Sequence, residues 1–147
     1  MLISHDRGEK VTPLMLANAS SFDSQGNWTG FRYNTYAPPS GIVKYEAGAT
    51  NFRLIFDLIN RGVPVFYGGY NPTTDNTHYV VLCGFENVAC DALGGIIYRQ
   101  LSINNFLAVD PAESSDPPPV KNLGELNRYY KWEPSYPMEI RYFVKGS

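Results

Sequence analysis

The side chains best suited by type to nucleophilic or acid–base chemistry are His78, Asp110, Cys83, Cys90 and His5. His78 heads the apolar run Asn76-Thr77-His78-Tyr79-Val80-Val81-Leu82-Cys83-Gly84-Phe85. A histidine and a cysteine in one short stretch suggest a thiol activated by an imidazole, as thiol-dependent acyl transfer requires. The spacing speaks against that pair. In a strand, His78, Val80, Leu82 and Gly84 share one face, and Tyr79, Val81, Cys83 and Phe85 share the other. Cys83 then lies roughly 16 Å along the strand from His78 and points away from it. It reads as a small buried hydrophobe. Cys90, in Asn87-Val88-Ala89-Cys90-Asp91, sits on a connection and is the cysteine left to consider as a substitute nucleophile. A Cys83–Cys90 bridge stays open, and His5-Asp6 reads as a solvated pair.

His78 stands where a polar turn enters an apolar strand, so its ring is expected at a sheet edge, partly exposed. A strand-end histidine bonded to a loop carbonyl is the plain alternative. Asp110 strengthens the chemical reading, because it ends the apolar run Phe106–Val109 and Pro111 stops the strand after it. If those two strands are neighbours, the carboxylate can orient the His78 imidazole and stabilise its protonated form. As a plain Asp-Pro it would only shape a turn. Two histidines and two cysteines match no tight zinc-ligand spacing, so neither a metal nor another cofactor is expected.

Periodicity supplies the elements that must position these residues. Met1-Leu2-Ile3-Ser4-His5 reads as the last turn of an apolar helix. Thr12 then caps a second helix, with Pro13 in its first turn and its end near Ala19. Residues 20–49 read as a structured loop region. Thr50 opens the clearest helix, with Phe52, Ile55, Phe56 and Ile59 on one stripe and Gly62 ending it in a left-handed conformation. Strands follow at Val63–Tyr67, His78–Phe85, Ile96–Tyr98 and Phe106–Val109, with a turn-rich link from Gly68 to Asp75. An extended loop over Ser114–Pro119, a short helix over Asn122–Leu126 and a last strand over Met138–Val144 complete the chain. The predicted class is α+β: N-terminal helices, then a mainly antiparallel sheet, in a single domain spanning residues 1–147.

Composition narrows the function classes. The 147 residues are 44% hydrophobic and 18% charged, as in a globular domain, and the net charge of −2 offers no electrostatic grip on nucleic acid or an anionic membrane. No apolar run approaches the roughly 20 residues of a membrane span, and the first residues lack the pattern of a signal peptide. Eleven Tyr and eight Phe, among many Pro and Gly, suit a loop-rich surface that grips an extended polymer. Asn18-Ala19-Ser20 and Asn27-Trp28-Thr29 match the glycosylation triplet, a pattern too short to weigh.

Taken in order, Gly62-Val63-Pro64-Val65, then His78-Tyr79-Val80-Val81 with Gly84-Phe85, then Val109-Asp110-Pro111 resemble the second half of cysteine peptidases of family thirty-nine. These are the double-glycine leader peptidases and their bacterial relatives, with a papain-like fold. Val11-Thr12-Pro13 and Met1–His5 look like the segments that follow the nucleophile helix, so the resemblance covers most of residues 1–112. It implies that His78 is the general base and Asp110 its orienting partner, in hydrolysis of a peptide or related amide. It implies a secreted or cell-envelope parent. The nucleophile does not carry over, because the family places its cysteine before the position matching Met1 and no cysteine precedes Cys83. Two expectations follow: a peptidase domain lacking its nucleophile helix, or a non-catalytic peptide- or cell-wall-binding module on the same fold. An incomplete N-terminal helix region would expose apolar surface and favour a homodimer.

Overall fold

Alternating and stripe-like apolar residues produce six strands and two helices in the computed structural model, which describes residues 24–25, 42–47, 51–133 and 139–144. The chain forms two compact units, residues 1–44 with 143–147, and residues 45–142. The first is almost wholly outside the described residues, as are the predicted helix end at Met1–His5, the helix from Pro13 to Ala19, and His5-Asp6. Strand β1, Ile42–Ala47, straddles the division and corrects the expectation of loop over residues 20–49. Its β-branched and aromatic Ile42-Val43-Lys44-Tyr45 core carries the strand preference that the Gly- and Pro-rich flanks masked.

In the second unit, helix α1 spans Phe52–Asn60. Asn51, not Thr50, caps it, its side chain accepting from the Leu54 amide at 3.1 Å. Gly62 follows with φ +77°, the left-handed conformation in which a glycine carries no Cβ penalty. The chain then returns as β2, Val65–Asn71, and β3, Asn76–Phe85, an antiparallel hairpin in register from Val65↔Leu82 to Asn71↔Asn76. β2 therefore runs through Gly68 and Gly69, which the sequence assigned to a turn. Backbone pairing with β3 continues where side-chain preference fails.

β3 pairs next with β4, Phe106–Val109, and β4 with the short β5, Val120–Asn122; on the other side β2 pairs with β6, Glu139–Val144. The resulting order is β6-β2-β3-β4-β5, antiparallel throughout. Ile96–Tyr98 is not a strand. Ile96 makes one isolated bridge to Cys90, and Tyr98–Gln100 is a turn of 3₁₀ helix. The last helix, α2, spans Leu123–Tyr130, longer than its predicted five residues, with the Asn122 side chain accepting from the Gly124 amide at 2.8 Å.

A bulge in β3 changes the predicted facing. Leu82 pairs with Ala108, yet Gly84 pairs with Leu107, so Cys83 is an extra residue and the alternation shifts by one. Phe85 thereby returns to the face of Leu82 and meets Phe56 of α1, ring centroids 4.5 Å apart. Cys83 is exposed rather than buried, because the bulge leaves it unpaired on the face away from α1. The core forms where Ile55, Phe56, Leu58 and Ile59 of α1 pack on Val65, Tyr67, Val80, Leu82 and Phe106 of the sheet. No helix among the described residues is long and apolar enough to cross a membrane.

Phe106 is fully buried and stacks on Phe52 of α1 at 5.7 Å, tying β4 to the helix. Phe106→Ala is expected to lower unfolding free energy by about 3–5 kcal/mol in urea titrations. Leu93→Ala, at a 97% exposed tip, should change it by less than about 0.5 kcal/mol.

Candidate active site

His78 and Asp110 belong to neighbouring strands and share the face that carries Val80, Leu82 and Ala108. Val81 pairs with Val109, so Asp110, the next residue after β4, falls diagonally across from His78. His78 Nε2 and Asp110 Oδ1 are 2.8 Å apart, with the histidine side chain 26% exposed and the aspartate 2% exposed. The structure brings these two predicted residues together. Asp110 also shapes its own turn, since Oδ1 accepts from the Ala112 amide at 2.9 Å.

Two residues that the sequence reading did not single out complete the cluster. Tyr130, the last residue of α2, donates its hydroxyl to Asp110 Oδ2 at 2.5 Å and stacks its ring on His78, centroids 4.2 Å apart and planes 27° apart. Trp132 lies parallel to Tyr130 at 5.4 Å and 7°, and 6.5 Å from His78. Lys131 between them has φ +53°, a left-handed step that ends α2 and turns Trp132 back onto the sheet. There the indole covers Gly69, the register partner of His78, and a Cβ at Gly69 would overlap the ring. The Tyr130 carbonyl accepts from Asn71 Nδ2 at 2.9 Å and the Glu133 amide donates to the Tyr70 carbonyl at 2.8 Å, pinning this segment to the end of β2. The signal for both residues was in Tyr129-Tyr130-Lys131-Trp132, three aromatics in four positions after a predicted helix.

Electrostatics decide which nitrogen is basic. Burial alone would push the Asp110 carboxyl up, but hydrogen bonds from Tyr130, the Ala112 amide and His78, with the His78 charge, hold it below its ordinary value. Asp110 is thus an anion at neutral pH, and an anion only accepts hydrogen bonds. The neutral imidazole must then carry its proton on Nε2, which leaves Nδ1 with the lone pair. Nδ1 makes no hydrogen bond among the described residues. A substrate or nucleophile proton would be taken up there. Burial and the neighbouring carboxylate push the Tyr130 hydroxyl well above its ordinary value, so it remains a donor.

Neither cysteine joins this cluster. Cys83 Sγ lies 3.8 Å from the Leu107 carbonyl on the opposite face, five residues along β3. Desolvation pushes its thiol up, against nucleophilic use. Cys90 is held by its bridge to Ile96 on the loop beyond the far end of β3, with Sγ 3.7 Å from the Val88 carbonyl. Both are free thiols, so the Cys83–Cys90 bridge is not formed. Comparison with protein-family models, curated proteins and solved structures returns no significant match.

A carboxyl whose folded pKa is depressed contributes stability above its unfolded pKa, and that contribution fades as pH falls through the folded value. Asp110→Asn should therefore cost about 2 kcal/mol at pH 7, where three hydrogen bonds to a charged acceptor are weakened. The gap to the unaltered chain should begin to narrow at about pH 4, the ordinary aspartate pKa, and close as pH falls through the lower folded value. Urea titrations from pH 7 down to pH 2 measure both. The placement of the thiols gives a second expectation: alkylation of Cys83 and Cys90, mapped by mass spectrometry between pH 6 and 9, should be the same in His78→Ala as in the unaltered chain.

Proposed function

We propose that this chain carries the acid–base half of a thiol-dependent amide hydrolase of the papain-like, family thirty-nine kind. The single observation behind the reading is the His78–Asp110 pair: a part-exposed imidazole whose Nε2 is held at 2.8 Å by a buried carboxylate, with Nδ1 left to exchange protons. In that chemistry a thiol gives its proton to Nδ1 and its sulfur attacks the amide carbonyl. The C–N bond then breaks, and the same nitrogen returns the proton to the departing amine. Water, deprotonated by His78 in turn, cleaves the thioester and restores the thiol. Asp110 orients the ring and offsets its transient positive charge. The thiol must be one other than Cys83 or Cys90, both of which lie away from His78. The antiparallel α+β frame, with His on one strand and Asp ending the next, supports the resemblance in residue order.

That lack of a local thiol favours a second reading, a peptide- or polymer-binding module on the same frame. The two part on one assay. A p-nitrophenyl acyl ester is incubated with a small thiol, and the His78-dependent release is measured with the full chain. A positioned general base is worth roughly 10²–10⁴-fold, and a freely diffusing thiol should recover the lower end of that range. His78→Ala should fall to the thiol-only background and Asp110→Asn most of the way. Equal rates for the unaltered chain and His78→Ala would sink the hydrolase reading and leave the binding module.

A further inference from the structure

Asp110 and His78 alone do not define a rigid site. A carboxylate bonded to an imidazole through one oxygen can rotate about its own Cβ–Cγ bond, and a strand-end ring can swing. The fold supplies restraints on both motions from one side chain. The Tyr130 hydroxyl takes the Asp110 oxygen that His78 does not use, and the Tyr130 ring lies flat on the imidazole. Tyr130 is itself fixed, since its carbonyl is tied to Asn71 of β2 and Trp132 backs the far side of the cluster.

We infer that Tyr130 is a positioning residue: its hydroxyl locks Asp110 in the rotamer that holds His78 Nε2, and its ring holds the imidazole plane. The inference rests on the hydrolase reading only for its catalytic consequence; the geometric role stands apart from it. Tyr130 takes no part in bond making, because its hydroxyl donates to Asp110 throughout. Its influence on the site has an electrostatic signature. Groups around Asp110 that carry or gain charge are His78 on β3, Tyr130 with the exposed Tyr129 on α2, and the Lys121–Glu113 ion pair at β5. The Tyr130 hydroxyl is one of three donors, with the Ala112 amide and His78, that hold the Asp110 carboxyl below its ordinary value.

The test is carbon-13 NMR of the Asp110 carboxyl against pH, with long-range proton–nitrogen spectra of the His78 ring. It uses the full chain, Tyr130→Phe and the neighbouring control Tyr129→Phe. Tyr130→Phe keeps the ring stack and removes only the hydroxyl. The Asp110 midpoint should move up in Tyr130→Phe and stay in place in Tyr129→Phe. His78, held as the Nε2–H tautomer in the unaltered chain, should become a tautomer mixture in Tyr130→Phe. Should Tyr130→Phe fail to fold, the unaltered chain still decides the matter: the Tyr130 ring carbon that bears the hydroxyl should shift in step with the Asp110 titration. An Asp110 midpoint that stays put in folded Tyr130→Phe, or a Tyr130 carbon that does not follow the Asp110 titration, overturns the inference. These readouts need no turnover, so a chain that shows them but no His78-dependent ester cleavage refutes the hydrolase reading alone.

Discussion

Burying a carboxylate demands that its oxygens be satisfied, and much of the geometry around Asp110 is an answer to that demand. At 2% exposure Asp110 has lost its water, and three donors from three parts of the fold replace it: the His78 ring, the Ala112 amide and the Tyr130 hydroxyl. Each donor sits where it does because of a separate local decision. β3 and β4 must pair in the register that sets Val81 against Val109, Pro111 must end β4 so that the turn offers its amide, and α2 must stop at Tyr130. Shifting any one by a residue would turn a donor away and leave a buried charge exposed to its own desolvation.

The aromatic layer has the same logic. Gly68 and Gly69 weaken β2 by intrinsic preference, yet they remove Cβ atoms where rings must lie. Tyr79 covers Gly68 on one face and stacks on Phe66 at 4.7 Å, while Trp132 covers Gly69 on the other. Strand pairing, loss of side chains at two positions and the left-handed step at Lys131 act together. The result is a flat stack of His78, Tyr130 and Trp132 over an otherwise bare piece of sheet. The imidazole is thus held by an anion at its edge and by rings on its face.

The chemistry of the cluster is one-sided. It fixes a basic nitrogen with care and brings neither Cys83 nor Cys90 to it. Alternation along β3 already turns the Cys83 thiol from His78, and the bulge there restores Phe85 to the core without bringing the thiol back. The Cys90 loop is fastened at its base, where Asn105 Nδ2 donates to the Glu86 and Asn87 carbonyls, and that fastening keeps it at the end of β3 remote from His78.

By itself the sequence determined what depends on near neighbours along the chain. The stripe of Phe52, Ile55, Phe56 and Ile59 specified α1, Gly62 its end, and the apolar runs at His78 and Phe106 their strands, since period and turn chemistry are local properties. It also indicated that Asp110 could orient His78 if their strands were neighbours, and that Cys83 would not face His78. Only the tertiary structure decided that those strands do pair, that β2 continues through two glycines, that Cys83 bulges out and Phe85 turns in, and that Tyr130 closes over the pair. Those outcomes rest on contacts between residues far apart in sequence, such as His78 with Tyr130 and Gly69 with Trp132. Their free energy is gained only once the sheet is assembled, so no stretch of the chain carries it alone.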